Sequence, residues 1–99
     1  MDYKVIWRDD AIADLREEVA YIAQDNPIAA VKLGEAIIRK SMLLSNHPRL
    51  GAMFQKLQKD TVRELSIPPY RLFYEIDDAA SVIYVTLLWH GAREEPELQ

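Results

Sequence analysis

Two amphipathic stretches follow one another with only Asp25-Asn26-Pro27 between them, and this break constrains the fold more than any other feature of the chain. From Ala11, apolar residues recur at Ile12, Leu15, Val19, Ile22 and Ala23, while Asp14, Glu17 and Glu18 lie off that stripe. The spacing is that of one helical face, and Asp9 or Asp10 is placed to cap its start. Asn26 can cap a second helix, and Pro27 suits its first position, where no intrahelical N–H is needed. The second helix is expected to run to about Ser45, with Ile28, Val31, Ile38, Met42 and Leu43 among its core residues. Gly34 within it costs about 1 kcal/mol relative to Ala, and such a glycine often lets two helices approach closely. So short a connection makes the pair an antiparallel hairpin.

Strands flank the hairpin. Tyr3, Val5 and Trp7 alternate with Lys4, Ile6 and Arg8, the period of a strand. Asn46-His47-Pro48 ends the second helix, and Arg49 to Asp60 reads as irregular with Gly51 as a hinge. Val62, Leu65 and Ile67 belong to a strand that Pro68-Pro69 ends, because proline donates nothing to a ladder. Leu72 to Ile76 is the next strand, Asp77-Asp78-Ala79-Ala80 a turn, and Val82 to Leu88 a nearly apolar central strand. The order βααβββ predicts an α+β fold, a helical hairpin packed on a mostly antiparallel sheet. At 99 residues the chain is expected to be a single domain.

Composition excludes several function classes. There is no cysteine, hence no disulfide framework, thiolate metal site or cysteine nucleophile. No run of about 18 apolar residues is present, so no membrane span is expected. Met1 to Asp10 is charged and alternating, unlike a signal peptide, and a cytoplasmic location is expected. A net charge of -4 argues against a strongly basic nucleic-acid binder. The charge is unevenly spread. Arg8 to Asp25 holds two basic and six acidic residues, Lys32 to Arg63 seven basic and two acidic, and Glu94, Glu95 and Glu97 close the chain. A basic middle between acidic ends can still present one positive face.

No phosphate-binding loop, dinucleotide fingerprint, zinc motif or nucleophile elbow occurs. His47 and His90, far apart in sequence, make a weak metal signal, so neither metal nor cofactor is expected. Arg63, Arg71, His90 and Arg93 lie on or just beyond the expected sheet. Three guanidiniums and an imidazole near one sheet surface would bind a phosphate or a partner carboxylate. With a general base they would support phosphodiester cleavage. The plainer alternative pairs Arg63 with Glu75 or Glu64 across strands and Arg93 with the acidic tail.

The runs Val62-Arg63-Glu64-Leu65, Tyr70-Arg71-Leu72-Phe73-Tyr74 and His90-Gly91-Ala92-Arg93 resemble the RelE/ParE toxins of type II toxin–antitoxin systems. Trp7, Ala11, Asp14-Leu15, Asn26-Pro27, Ala29-Ala30, Pro48 and Gly51 match that layout upstream, so the resemblance covers almost the whole chain. It implies the same fold and a growth-inhibiting toxin, associated with plasmid stabilisation and neutralised by a cognate antitoxin in a hetero-oligomer. RelE-like members cut mRNA on the ribosome; ParE-like members inhibit DNA gyrase. Arg71 matches a nuclease arginine and Arg93 is the nearest match to another. The nuclease lysines, however, fall on about Val62 and Glu64, no tyrosine follows Glu94, and His90 matches the histidine-using branch poorly. The resemblance therefore implies a ParE-like gyrase inhibitor with no catalytic site. Two alternatives remain: a ribosome-dependent endoribonuclease using Arg71, Arg93 and His90 or Glu64, and a non-toxic antitoxin-binding module. Arg49, Lys56, Lys59, Arg63, Arg71, His90 and Arg93 are the expected partner contacts, the basic ones favouring an acidic antitoxin segment.

Overall fold

A computed structural model describes residues 2–91 and 98. Strand β1 (Lys4–Trp7) leads into α1 (Asp9–Ala23) and α2 (Pro27–Met42), which ends in a 3-10 turn, Leu43–Ser45. Strands β2 (Ala52–Met53), β3 (Val62–Ile67), β4 (Tyr70–Asp77) and β5 (Val82–His90) follow. The sheet order is β1-β5-β4-β3-β2. The β1–β5 pair is parallel, and the other three are antiparallel. The expected fold class holds, with β5 an interior strand between β1 and β4, and β4 the middle strand of the five. One strand is added inside the segment read as irregular: Ala52 pairs with Glu64 and Met53 with Arg63. Two residues carry no period of their own, so only the partner strand defines β2.

The first helix starts earlier than its apolar stripe. Arg8 is the N-cap and provides no side-chain cap, while Asp9 and Asp10 occupy the first turn. The Arg8 N–H donates to the Val85 carbonyl at 2.9 Å, so the chain passes directly from sheet to helix. Both aspartates then act on the helix dipole rather than as caps. The second start is as expected: the Asn26 side chain accepts from the Ala29 N–H at 3.0 Å, with Pro27 at the first position.

The buried face of α2 differs from the expected one. Ala30, Ile37, Ser41 and Leu44 are buried, whereas Ile28, Val31, Ile38, Met42 and Leu43 are all exposed. The helix carries apolar residues on two faces, and the one with Ala30, Ile37 and Ser41 packs inward. There the Trp7 indole N–H donates to the Ser41 hydroxyl at 3.2 Å. Gly34 faces α1, but a Cβ there would lie 3.5 Å from Val19, an ordinary contact. The approach of the helices does not require glycine.

Asp14, expected on the solvent side of α1, instead accepts from the Leu88 N–H at 3.1 Å. Strand β1 pairs with β5 only as far as Val85, so this N–H lies beyond the end of β1. Just there β5 bulges: Phe73 pairs with Leu87 and Tyr74 with Val85, leaving Thr86 over. The main core lies between helices and sheet and includes Ile37, Leu44, Leu65, Leu72, Tyr74, Ile83 and Val85. A smaller cluster of Phe54, Val62 and Phe73 lies on the other sheet face, with Trp89 and Leu98 against it. Among the described residues no helix is long and apolar enough to cross a membrane.

Candidate functional site

Strand alternation separates the sheet residues singled out in the sequence. Arg63 shares a face with Leu65 and Ile67, on the helix side; Glu64 and Arg71 share the other with Val62 and Phe73. His90 pairs with Tyr70 across β4 and β5, and their rings meet edge-on at 5.5 Å. The Tyr70 hydroxyl donates to Glu18 of α1 at 3.2 Å, which places His90 beside the helices. Burial first, and then Glu18, pushes the Tyr70 hydroxyl pKa up. Arg63, Arg71 and His90 therefore do not converge on one surface. Arg93 lies outside the described residues.

Each sheet arginine has internal partners. Arg71 meets Glu64 with two bonds, Nε to Oε1 at 3.2 Å and an Nη to Oε2 at 2.8 Å. Register sets this pair: Phe73 is opposite Glu64, so Arg71 reaches it along the diagonal. The side chains are only 24% and 25% exposed, and the guanidinium also lies 5.0 Å from the centre of the Phe73 ring. Arg63 donates to the Asp60 carbonyl at 2.8 Å, to the Gly51 carbonyl at 2.7 Å and to the Asp60 carboxylate. It braces the loop before β3 instead of pairing with Glu75 or Glu64.

Arg49 is a second brace. It binds Asp60 at 2.6 Å and Asp78 at 2.9 Å, joining the loop after α2 to the turn between β4 and β5. Tyr3 adds its hydroxyl to Asp78 at 2.6 Å. The Arg49 bond, then that of Tyr3, lowers the Asp78 carboxyl pKa to about 2. Asp60 is also lowered, by Arg49 and then Arg63. Neither aspartate stood out in the sequence, since nothing local marks a bridge between distant turns. Lys56 and Lys59 are exposed on the loop between β2 and β3. Among the described residues no group of three or more His, Cys, Asp or Glu side chains is disposed to hold a metal ion.

The arrangement is chemically specific in one respect. A phosphodiester transition state needs cationic donors aimed at developing charge. On the Arg71 face the fork is already matched by a carboxylate of similar geometry. The exposed features are a basic loop and the apolar outer side of α2, which the sequence reading had assigned to the core.

Comparison with known proteins agrees with this architecture. Residues 5–95 match the sequence family described as the ParE toxin of type II toxin–antitoxin systems, parDE. Toxin RelE2 of Caulobacter vibrioides is 31% identical over 91 residues, covering 91% of this chain and 97% of that protein. Among solved structures, the chromosomal ParDE system of P. aeruginosa superposes with a TM-score of 0.74 at 19% identity, covering 89% of this chain and 95% of that one. A chain of the RelBE2 toxin–antitoxin complex of Mycobacterium tuberculosis gives 0.66 at 22% identity, covering 91% and 99%. From the helical hairpin on its five-stranded sheet and the match along nearly the whole chain, the protein belongs to the ParE family of type II toxins, within the RelE/ParE superfamily.

Proposed function

We propose that this chain, a single domain acting in the cytoplasm, is a ParE-like toxin that stops growth by binding DNA gyrase, and that a cognate antitoxin neutralises it. The observation carrying this reading is the two-bond Arg71–Glu64 pair. The arginine that a ribonuclease would use is held by a carboxylate, and the strand before it carries Val62 and Glu64 where the nuclease branch has lysines. A net charge of -4 also suits a protein target better than ribosomal RNA. The antitoxin is supported by the family match and by structural neighbours described as toxin–antitoxin complexes. Lys56 and Lys59 are exposed contacts for an acidic segment, whereas Arg49 is committed to Asp60 and Asp78.

The test is pulse labelling after induction without antitoxin, following thymidine and methionine incorporation together, with Arg71→Ala alongside. The expected result is an early fall in DNA synthesis that Arg71→Ala retains, and inhibition of gyrase supercoiling by the purified chain. An early fall in protein synthesis, abolished by Arg71→Ala while the variant still binds antitoxin, would make the chain a ribosome-dependent nuclease. No fall in either, with folded protein present, would leave an antitoxin-binding module without toxicity.

A further inference from the structure

The helices cover one face of the sheet, and the other face is covered only in part. Phe54 and Leu57, from the loop that follows β2, close over Val62 and Phe73 on β3 and β4. Where β1 meets the first half of β5, the described residues provide no such cover. Strand alternation puts Lys4, Ile6, Val82 and Tyr84 on this side, because Val5, Trp7, Ile83 and Val85 pack into the main core. Ile6 pairs with Tyr84, and Tyr84 with Glu75 of β4. An aliphatic, an aromatic and an acidic side chain therefore form one row across three strands.

Arg8 rises beside this row. Arg49, Arg63 and Arg71 are each matched by a carboxylate. Arg8 forms no ion pair among the described residues; its guanidinium lies over the Tyr84 ring, 4.6 Å from the ring centre. The stack is a ridge between two open depressions of about 480 and 450 Å³. Asp9 and Asp10 line the first, and Glu75 and Asp77 the second. Asp9, Asp10 and Glu75 are exposed, and no ion pair among the described residues engages them. Charge then decides what covers this face. Unmatched carboxylates around an apolar and aromatic floor call for a basic partner. A second copy seated here about a two-fold axis would set the acidic rim against itself. An acidic antitoxin segment, drawn to Lys56 and Lys59, would be repelled. The target proposed above handles DNA, and a surface that holds DNA is lined by Lys and Arg.

We propose that this open half of the sheet, centred on the Arg8–Tyr84 stack, is where the chain meets its DNA-handling target. The occupant is a segment of that enzyme with Lys or Arg on both sides of an apolar contact. The inference rests on the gyrase reading above and adds the surface that reading leaves unassigned. Ile6 and Tyr84 supply the apolar contact, while Asp9, Asp10 and Glu75 pair with basic side chains on either side of the ridge. The Arg8 guanidinium, with no carboxylate of its own, donates to a main-chain carbonyl of the segment as it crosses.

The experiment measures binding of the full chain to purified DNA gyrase by surface plasmon resonance, with supercoiling inhibition alongside. Tyr84→Ala and Glu75→Lys are the variants, and circular dichroism and melting establish that they fold. Tyr84→Ala is expected to weaken gyrase binding at least about 30-fold, as for a central aromatic contact. Glu75→Lys, at an exposed position, is expected to weaken it about tenfold, mainly through slower association. Lys56→Glu should leave gyrase binding unchanged. Both sheet variants should keep wild-type affinity for the protein encoded by the adjacent gene. If Tyr84→Ala does not fold, Glu75→Lys decides alone. Wild-type gyrase affinity in the folded variants overturns this surface while leaving the gyrase reading intact. An equal loss of binding to the neighbouring protein makes the surface the antitoxin's and overturns the choice of occupant. A wild-type chain that neither binds nor inhibits gyrase removes the gyrase reading, and this inference with it.

Discussion

Tyr74 shows how one side chain holds a loop that the sequence marks only as irregular. Its ring is fully buried in the main core. Its hydroxyl donates to the Pro48 carbonyl at 2.7 Å and accepts from the Gly51 N–H at 2.9 Å. Burial pushes the phenol pKa up, against the lowering effect of the Gly51 bond, so the group keeps the proton that its bond to Pro48 requires. Gly51 is needed where it stands, because a Cβ would lie 2.8 Å from the Glu64 carbonyl carbon and 2.9 Å from the Tyr74 ring. Tyr74→Phe keeps the ring but strands a buried N–H and a carbonyl. The expected cost is about 1–3 kcal/mol in urea unfolding. A wild-type midpoint would mean that water replaces the hydroxyl without loss.

Among the elements, α2 carries most of the consequences. It is capped by Asn26, buried through Ala30, Ile37 and Ser41, and tied by its 3-10 turn to the residue before β1, where the Tyr3 N–H donates to the Ser45 carbonyl at 2.8 Å and the Ser45 hydroxyl to the Tyr3 carbonyl at 2.7 Å. Gly34 is the one residue of this helix working against it. Since a Cβ there meets Val19 at an ordinary 3.5 Å, Gly34→Ala is expected to stabilise the protein by about 0.5–1 kcal/mol. Thermal melting checks this, and a lowered midpoint would mean that the added methyl disturbs the contact with Val19.

For the whole molecule, acid stability depends on the brace of Arg49, Asp60 and Asp78, which joins regions far apart in sequence. The folded Asp78 carboxyl sits at about 2, below its ordinary value of 3.8. A carboxylate depressed on folding adds stability above its unfolded pKa, and that stability is lost as pH falls towards the folded value. The contribution is therefore complete above about pH 4 and disappears between about pH 4 and pH 2. Asp60, lowered in the same direction, adds to the same acid limb. Asp78→Asn is expected to lower the melting temperature at neutral pH and to flatten its fall below about pH 4. Melting curves for both proteins from pH 7 to 2 measure this; parallel acid limbs would show that the bridge contributes nothing.

Local rules made much of the fold legible in the chain itself. Asn26-Pro27 defined a helix boundary, alternation defined β1, and the apolar run from Val82 marked an interior strand, because capping, proline geometry and side-chain period act within a few residues. The resemblance to RelE/ParE toxins was likewise carried by residues spread along the chain. The two-residue strand β2, the Asp14–Leu88 bond and the bridges of Arg49 depend on partners distant in sequence, and no local pattern announces them. The candidate site shows the same division. Sequence named Arg63 and Arg71, but only register put them on opposite faces and gave Arg71 to Glu64. The period of α2 was visible, but which of its two apolar faces turned inward was not. Periodicity counts apolar residues, whereas the packing of Ala30, Ile37 and Ser41 against the rest of the chain decided which side turned inward and left Ile28, Val31, Ile38 and Met42 exposed.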